Sequence, residues 1–200
     1  MIVPDAGYLA AVRASCDKHN ALLIADEIQC GLGRTGKMLA IDHDGVRPDV
    51  LILAKALSGG VYPVSCVLAD DDVMLTIAPG QHGSTYGGNP VGCAVGKAAL
   101  DVLIEEDLIA NSAKMGEMFR DGVRSFGSSR VREVRGRGLM NAVVIEERDG
   151  IDAWQVCLRL AQLGLLAKPT HNNTIRFTPP LCIDEAQMAR ALEMIERAVE

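Results

Sequence analysis

Two ionisable side chains, Asp26 and Lys55, end two apolar runs of the kind that form strands. The first run covers residues 22–25 and the second covers residues 50–54. Because a carboxylate and an amine at the ends of buried strands are costly to desolvate, we interpret their placement as a functional site rather than a packing feature. A desolvated lysine loses its proton more easily and can attack a carbonyl carbon. The pair therefore predicts covalent carbonyl chemistry at Lys55.

A lysine at a strand end can also reach into solvent or pair with a carboxylate, and for a single lysine this explanation is the commoner one. Three neighbouring features favour a site. Residues 58–60, Ser-Gly-Gly, give backbone access beside the amine, Asp26 ends a second strand, and Gln29 adds a neutral hydrogen-bonding group on the same rim. Pyridoxal phosphate needs such a lysine for its attachment and an aspartate to keep its pyridine nitrogen protonated. The residue set thus indicates this cofactor.

Helices and glycines separate the apolar runs that would position these residues. An amphipathic helix predicted over residues 4–20 leads into the first run, and a third run follows at residues 64–69. Continuous Val/Ile/Leu runs separated by helices predict a mostly parallel sheet that is covered on both faces. Asn89 and Pro90 predict the start of a long helix that reaches about residue 105.

The second half of the chain has a different pattern, which predicts a separate small α+β domain over residues 105–200. Residues 1–104 would then belong to the large domain. The predicted helices cover residues 107–126, 151–163 and 184–199, and the predicted strands cover residues 131–134, 139–145, 165–168 and 174–177.

A competing motif, Gly-Leu-Gly-Arg-Thr-Gly-Lys at residues 31–37, fits the GxxxxGK pattern of a phosphate-binding loop. The next residue is Met38, which has no hydroxyl group to offer a metal ion. No convincing long helix follows the motif, and the acidic strand end at Asp26 precedes it too closely to be the second motif of a nucleotide hydrolase. We therefore do not favour nucleotide hydrolysis.

Composition excludes several other classes of protein. The chain has 200 residues with 20 basic and 26 acidic side chains, so a broad surface for nucleic acid or anionic membrane is not expected. The six cysteines lack metal-ligand spacing, which predicts reduced, mostly buried thiols in an intracellular protein and no metal site. No 18-residue apolar stretch is present, and the first residues lack the features of a signal peptide.

Several long segments, in order, resemble the class III pyridoxal-phosphate aminotransferases. They are residues 24–31, 49–60 and 83–90, the last of which reads Gly-Ser-Thr-Tyr-Gly-Gly-Asn-Pro. Within that family, residues 57–65, 79–83, 166–171 and 174–180 are most similar to the ornithine aminotransferases. The resemblance implies an α/β fold: part of the large domain of pyridoxal-phosphate transferase fold type I, followed by the small α+β domain. Since members of this family are about twice as long as this chain, we expect the chain to be the C-terminal half of such an enzyme.

The same resemblance implies a role for five residues. Lys55 would bind pyridoxal 5'-phosphate covalently, Asp26 would pair with its pyridine nitrogen, and Gln29 would hydrogen-bond its phenolic oxygen. Thr85 would reach the cofactor phosphate of the neighbouring subunit in a homodimer or higher homo-oligomer. Arg176 would bind the substrate carboxylate, for which a planar guanidinium is well suited.

The implied activity is transfer of the δ-amino group of ornithine to 2-oxoglutarate, in the cytoplasm or the mitochondrial matrix. Two alternatives stay open at this point. The chain could act on acetylornithine or 4-aminobutyrate, since aminotransferases for these substrates share the Asp/Lys/Thr core. It could also be a non-catalytic fragment or an interaction module that joins full-length subunits.

Overall fold

A computed structural model describes all 200 residues, and the chain divides into two compact units. The N-terminal unit comprises Pro4–Gly33 and Lys37–Leu108. The C-terminal unit comprises Met1–Val3, Arg34–Gly36 and Ile109–Glu200. The domain boundary expected near residue 104 stays a prediction.

The N-terminal unit consists of a small sheet, three α-helices and two 3-10 helices. Its strands are β1 (Ile24–Asp26), β2 (Val50–Leu53) and β3 (Cys66–Ala69), and its α-helices are α1 (Tyr8–Lys18), α2 (Asp71–Met74) and α3 (Pro90–Glu105). The 3-10 helices cover Ala40–His43 and Lys55–Ser58.

The sheet of this unit is mixed. Its order is β1-β2-β3, with β1 parallel to β2 and β3 antiparallel to β2. The expectation of a mostly parallel sheet is therefore wrong for the strands of this chain. The reason lies in the connection, because only one 3-10 turn separates β2 from β3 and a parallel return needs a longer crossover, usually through a helix.

The expectation that the sheet is covered on both faces is also wrong. Leu22 and Ile24 are 57% and 56% exposed, and Val67 on β3 is 55% exposed. Both β1 and β3 are edge strands, so each has one side without a hydrogen-bonded neighbour. The apolar pattern of the sequence shows that these strands could be buried, but it does not show which elements cover them.

Helix α3 begins where the sequence predicts it. The Asn89 side chain accepts a hydrogen bond from the Gly92 backbone N–H at 2.8 Å, and Pro90 occupies the first helical position. The Asn89 side chain satisfies one of the unpaired donors at the helix start, and Pro90 has no N–H that would need a partner. This cap fixes the end of the loop over residues 83–89.

The C-terminal unit is a four-stranded antiparallel sheet with three helices. The helices are α4 (Leu108–Ser125), α5 (Ala153–Leu163) and α6 (Glu185–Val199), and the strands are β4 (Val131–Arg137), β5 (Met140–Ile145), β6 (Lys168–His171) and β7 (Thr174–Phe177). The sheet order is β4-β5-β7-β6. The strand predicted over residues 165–168 is wrong in position, because β6 starts only at Lys168.

One face of this sheet packs against the helices and forms the core of the unit. Val143 and Ile175 are each 1% exposed, and the rings of Phe119 on α4 and Phe177 on β7 lie 5.3 Å apart, centroid to centroid. Burial of one such side chain contributes about 1.5–3 kcal/mol. The helix-facing positions alternate with positions on the other face of the sheet.

The segment Arg34–Gly36 packs within the C-terminal unit, which explains the second glycine of the GxxxxGK motif, Gly36. The Arg34 guanidinium donates to the carbonyl of Pro179 at 2.5 Å, and burial lowers the pKa of Arg34. A Cβ on Gly138 would lie 2.4 Å from the Gly36 nitrogen, so the two backbones meet where a larger residue does not fit. No α-helix follows Lys37 before β2. The motif is a packing feature here.

The cysteines are free, and the expectation that most are buried is wrong. Cys157 is buried, Cys93 and Cys182 are exposed, and the other three are intermediate. Burial, with a smaller contribution from Asp152, raises the pKa of Cys157 to about 11. None of the helices is long and apolar enough to cross a membrane.

Candidate active site

The parallel pair of strands brings Asp26 and Lys55 to one edge of the first sheet. Asp26 is the last residue of β1 and lies opposite Ile52 on β2. Lys55 follows Ile52 by three positions, just beyond the end of β2. Since the carboxyl ends of neighbouring parallel strands meet at the same edge, the two charged residues share that edge.

Lys55 has an unusual backbone conformation that the sequence did not reveal. Its φ angle is +45°, in the left-handed region that non-glycine residues rarely adopt. It opens the 3-10 helix, whose Leu57 and Ser58 are buried, and the Ser58 hydroxyl donates to the Lys55 carbonyl at 3.4 Å. Strained residues held by buried neighbours are concentrated at functional sites. The Lys55 backbone therefore supports the prediction made from its side chain.

A cavity of about 570 Å³ opens beside Lys55. Its walls come from two loops and the start of α3, and they include Ser65, Ser84, Asn89 and the glycines at 87 and 88. This volume falls in the range of small-molecule sites. Its polar wall combines an amine, hydroxyl groups, an amide and accessible backbone, which are groups suited to an aldehyde and a phosphate.

Asp26 and the neighbouring Glu27 have opposite environments, and the burial expected for Asp26 is wrong. Asp26 is exposed and accepts a hydrogen bond from the Ile28 backbone N–H at 3.1 Å. Glu27 is only 3% exposed, and its two carboxylate oxygens accept from the backbone N–H groups of Ala40 and Ile41 at 2.9 and 2.8 Å. Glu27 thus holds the following loop in place, while Asp26 stays accessible.

Lys55 and Gln29 are likewise exposed, so the desolvation expected for the lysine is wrong for this chain. The Lys55 amine forms no ion pair or hydrogen bond with the rest of the chain, which leaves it accessible to a carbonyl compound. Cys30, one residue after Gln29, is not a competing nucleophile. Burial, followed by the nearby Glu27 carboxylate, raises the pKa of Cys30 to about 12.

Thr85 lies on the exposed loop before α3 but does not line the cavity that contains Lys55. The loop is ordered by its own hydrogen bonds, in which the Ser84 hydroxyl accepts from Gly87 N–H at 2.9 Å and the Asn89 side chain donates to the Tyr86 carbonyl at 2.8 Å. The Thr85 hydroxyl has no such bond within the chain. It is therefore available to a group outside this cavity.

Arg176 belongs to the C-terminal unit, on β7, so the structure does not place it in the cavity beside Lys55. It lines a separate cavity of about 530 Å³ whose wall is mostly apolar. Its guanidinium has no acidic partner within ion-pair distance. A planar donor without a counter-ion is suited to a carboxylate ligand.

The residues at the sheet edge fit pyridoxal phosphate by their chemistry. An accessible amine suits its aldehyde, and a carboxylate held by only one hydrogen bond suits its protonated pyridine nitrogen. No group of three or more His, Cys, Asp or Glu side chains is placed to hold a metal ion.

Comparison with known proteins gives one family throughout. The family model for aminotransferase class-III matches residues 1–199. The mitochondrial ornithine aminotransferase of Rattus norvegicus is 57% identical over 199 residues, which is all of this chain and 45% of that enzyme. The chain therefore spans about half the length of the curated relatives it matches.

Solved structures agree with this result. The ornithine aminotransferase of Toxoplasma gondii, whose crystals contain pyridoxal phosphate at partial occupancy in the active site, is 46% identical with a TM-score of 0.95. That alignment covers 98% of this chain and 47% of the other. The acetylornithine aminotransferase of Elizabethkingia anophelis is 50% identical with a TM-score of 0.94, covering 98% of this chain and 52% of the other.

These likenesses confirm the predicted fold class, because the α/β architecture of the chain is that of aminotransferases over nearly its whole length. A small α+β unit with an antiparallel sheet follows the unit that contains Lys55. From the family match and the identities together, the chain belongs to the class III aminotransferases.

Proposed function

We propose that this chain provides the lysine-bearing part of a pyridoxal-phosphate-dependent ornithine aminotransferase. One observation carries the proposal: the accessible Lys55 amine, on a strained backbone, shares a sheet edge with the Asp26 carboxylate. Identity of 57% to the rat enzyme over the whole chain supports ornithine as the substrate.

In this proposal the residues have distinct roles. Lys55 holds the cofactor covalently, Asp26 accepts a hydrogen bond from its pyridine N–H, and Gln29 donates to its phenolic oxygen. When bound, pyridoxal phosphate supplies an aromatic ring that accepts the electron pair released at the substrate carbon. The Lys55 amine, once released by the substrate, would take the proton from that carbon as a general base and would deliver it to the aldehyde-derived carbon of the cofactor as a general acid.

The proposed reaction moves the δ-amino group of ornithine to 2-oxoglutarate. Ornithine leaves as glutamate semialdehyde, and 2-oxoglutarate leaves as glutamate. Arg176 binds a substrate carboxylate through its two parallel N–H donors. We place the activity in the cytoplasm or the mitochondrial matrix, and several relatives have "mitochondrial" in their names.

We further propose that the active unit is a homodimer in which Thr85 contributes to the neighbouring subunit. The Thr85 hydroxyl is exposed, has no hydrogen bond within its own chain, and lies outside the cavity beside its own Lys55. These observations favour a role toward the cofactor phosphate of another subunit.

A second candidate is a non-catalytic module that joins full-length subunits. The exposed apolar side chains of the first sheet favour it, since such surfaces are commonly covered by a partner. In this case the chain would bind a full-length class III enzyme without forming a covalent link to the cofactor.

Cofactor trapping separates these candidates. The 200-residue chain, alone and mixed with the full-length rat enzyme, is incubated with pyridoxal phosphate, reduced with sodium borohydride and digested for mass spectrometry. We expect a pyridoxyl group on Lys55, and we expect Lys55→Ala to abolish it while Lys37→Ala does not. Absence of the group from Lys55 in both mixtures would disprove the catalytic role.

Substrate choice needs an enzyme of full family length. In a chimaera, this chain replaces the matching 45% of the rat enzyme. We expect a higher kcat/KM for ornithine than for acetylornithine or 4-aminobutyrate. A preference for either competitor would assign the chain to that substrate instead, and ATP turnover that depends on Lys37 would revive the nucleotide-hydrolase interpretation.

A further inference from the structure

A single helical turn follows β1 and carries two of the side chains assigned to the cofactor, Asp26 and Gln29. The Gly31 backbone N–H closes this turn by donating to the Glu27 carbonyl at 3.0 Å. Side chains three residues apart lie on the same side of a helical turn. Asp26 and Gln29 are both exposed, whereas Glu27 is buried. The conformation of the turn therefore determines where the Asp26 and Gln29 side chains lie.

The Glu27 carboxylate ties this turn to the 3-10 helix Ala40–His43. Its Oε1 accepts from the Ile41 N–H at 2.8 Å, and its Oε2 accepts from the Ala40 N–H at 2.9 Å. The Cys30 thiol, within the turn, donates to the same Oε2 at 3.3 Å. No basic side chain forms an ion pair with Glu27. These three donors therefore compensate the buried charge.

Packing restrains the turn at the same residue. A Cβ on Gly31 would lie 2.8 Å from the Glu27 carbonyl oxygen and 3.2 Å from its Oε2. Gly31 is not among the residues with positive φ, so the close approach, rather than the backbone conformation, requires a glycine here. A side chain at position 31 would push against Glu27 and disturb the turn.

We propose that Glu27 is a positioning residue, whose buried carboxylate holds Asp26 and Gln29 in the arrangement that pyridoxal phosphate needs. This inference rests on the proposed function, in which those two side chains bind the cofactor. A glutamine cannot replace Glu27, because each carboxylate oxygen accepts from a backbone N–H and the amide NH2 group would face one of these donors. A buried donor without a partner is unfavourable, so the turn would move to relieve it.

Hydrogen exchange in the 200-residue chain without cofactor tests the first step. We expect Glu27→Gln to accelerate exchange at the backbone N–H groups of residues 31, 40 and 41, as measured by mass spectrometry of peptic peptides. Asp49→Asn is the matched control, because the Asp49 carboxylate also binds a backbone N–H, that of Leu23 at 2.6 Å, but at the opposite end of β1. It should leave exchange at residues 40 and 41 unchanged. Unchanged exchange in Glu27→Gln would overturn the inference.

Cofactor affinity in the chimaera with the rat enzyme tests the second step. The chimaera without cofactor is titrated with pyridoxal phosphate, and binding is followed by visible absorbance. We expect Glu27→Gln and Gly31→Ala each to weaken binding about tenfold, the lower end of the loss that follows removal of a group that orients a ligating side chain. Asp49→Asn should change the affinity by less than about twofold.

A background that lacks both positioned side chains separates positioning from general stability. In a chimaera that carries Asp26→Ala and Gln29→Ala, the further change Glu27→Gln should alter the affinity by less than about twofold, because the groups that it positions are gone. A loss that persists in this background would show that Glu27 acts through stability alone. That result, or an unchanged affinity in Glu27→Gln, would overturn the inference.

Borohydride trapping on Lys55 of the unsubstituted chimaera distinguishes two kinds of failure. If the pyridoxyl group forms on Lys55, the contrary results above refute only the role of Glu27. If it does not form, the proposed function is refuted and this inference with it.

Discussion

Because the backbone at Lys55 is strained, we predict that a glycine at this position gives a more stable chain than an alanine does. Lys55 has a φ angle of +45°, and a Cβ in the left-handed region costs about 1–2 kcal/mol. Glycine avoids this cost, but it loses about 0.5–1 kcal/mol more conformational entropy than alanine on folding. The difference leaves Lys55→Gly about 1 kcal/mol more stable than Lys55→Ala.

The adjacent Ala56 provides the control. Ala56 is also exposed, but it is not among the residues with positive φ, so Ala56→Gly should destabilise the chain by about 0.5–1 kcal/mol. Replacing alanine with glycine should therefore stabilise the chain at position 55 and destabilise it at position 56, although both positions belong to one 3-10 helix.

Urea denaturation followed by circular dichroism measures both differences. With a slope of about 1–3 kcal/mol per molar urea, 1 kcal/mol moves the midpoint by roughly 0.3–1 M. Equal slopes for all variants are required for the comparison. If Lys55→Gly is no more stable than Lys55→Ala, the backbone at this position is not strained, and its support for a functional site is lost.

Three further predictions concern caps, buried polar groups and thiols. Asn89→Ala should destabilise the chain by about 1 kcal/mol in thermal unfolding, and Asn89→Asp should not, because either side chain can cap α3. Ser112→Ala should lower the free energy of unfolding, measured in urea, by about 2–3 kcal/mol, because the fully buried Ser112 hydroxyl forms hydrogen bonds with two backbone groups. Ser125→Ala on the same helix should lower it by less than about 1 kcal/mol. Iodoacetamide at pH 8 should modify the exposed Cys93 much faster than Cys30, whose pKa is raised to about 12. The difference between the two modification rates should become smaller as the pH rises.

Elements whose limits depend on local chemistry could be predicted from the sequence. Helix α3 covers the predicted residues because Asn89 and Pro90 determine its start. Helix α6 begins one residue after Asp184, which accepts from the Gln187 N–H as its cap. Strand β7 likewise has its predicted limits, with two prolines shortly after it.

Features that depend on contacts distant in sequence were not predictable. Strand β6 starts at Lys168 because its partner is β7, and the register, rather than the apolar residues at 165–167, sets its limits. The direction of β3 and the exposure of β1 depend on which strands lie beside them. The sequence also gave no sign that Arg34–Gly36 packs in the C-terminal unit, since that contact requires Gly138, far along the chain.

The contrast between Asp26 and Glu27 shows why the type of a residue alone does not identify a site. Both acids end the same apolar run, yet Glu27 is nearly fully buried and binds two backbone N–H groups, so its charge is used by the fold. Asp26 has one local hydrogen bond and remains exposed at the sheet edge it shares with Lys55. A carboxylate whose hydrogen-bonding capacity is not consumed by the fold can bind a cationic group on a ligand. The candidate site at this sheet edge is therefore defined by the polar groups that folding leaves unused, and the exposed Lys55 amine meets the same criterion.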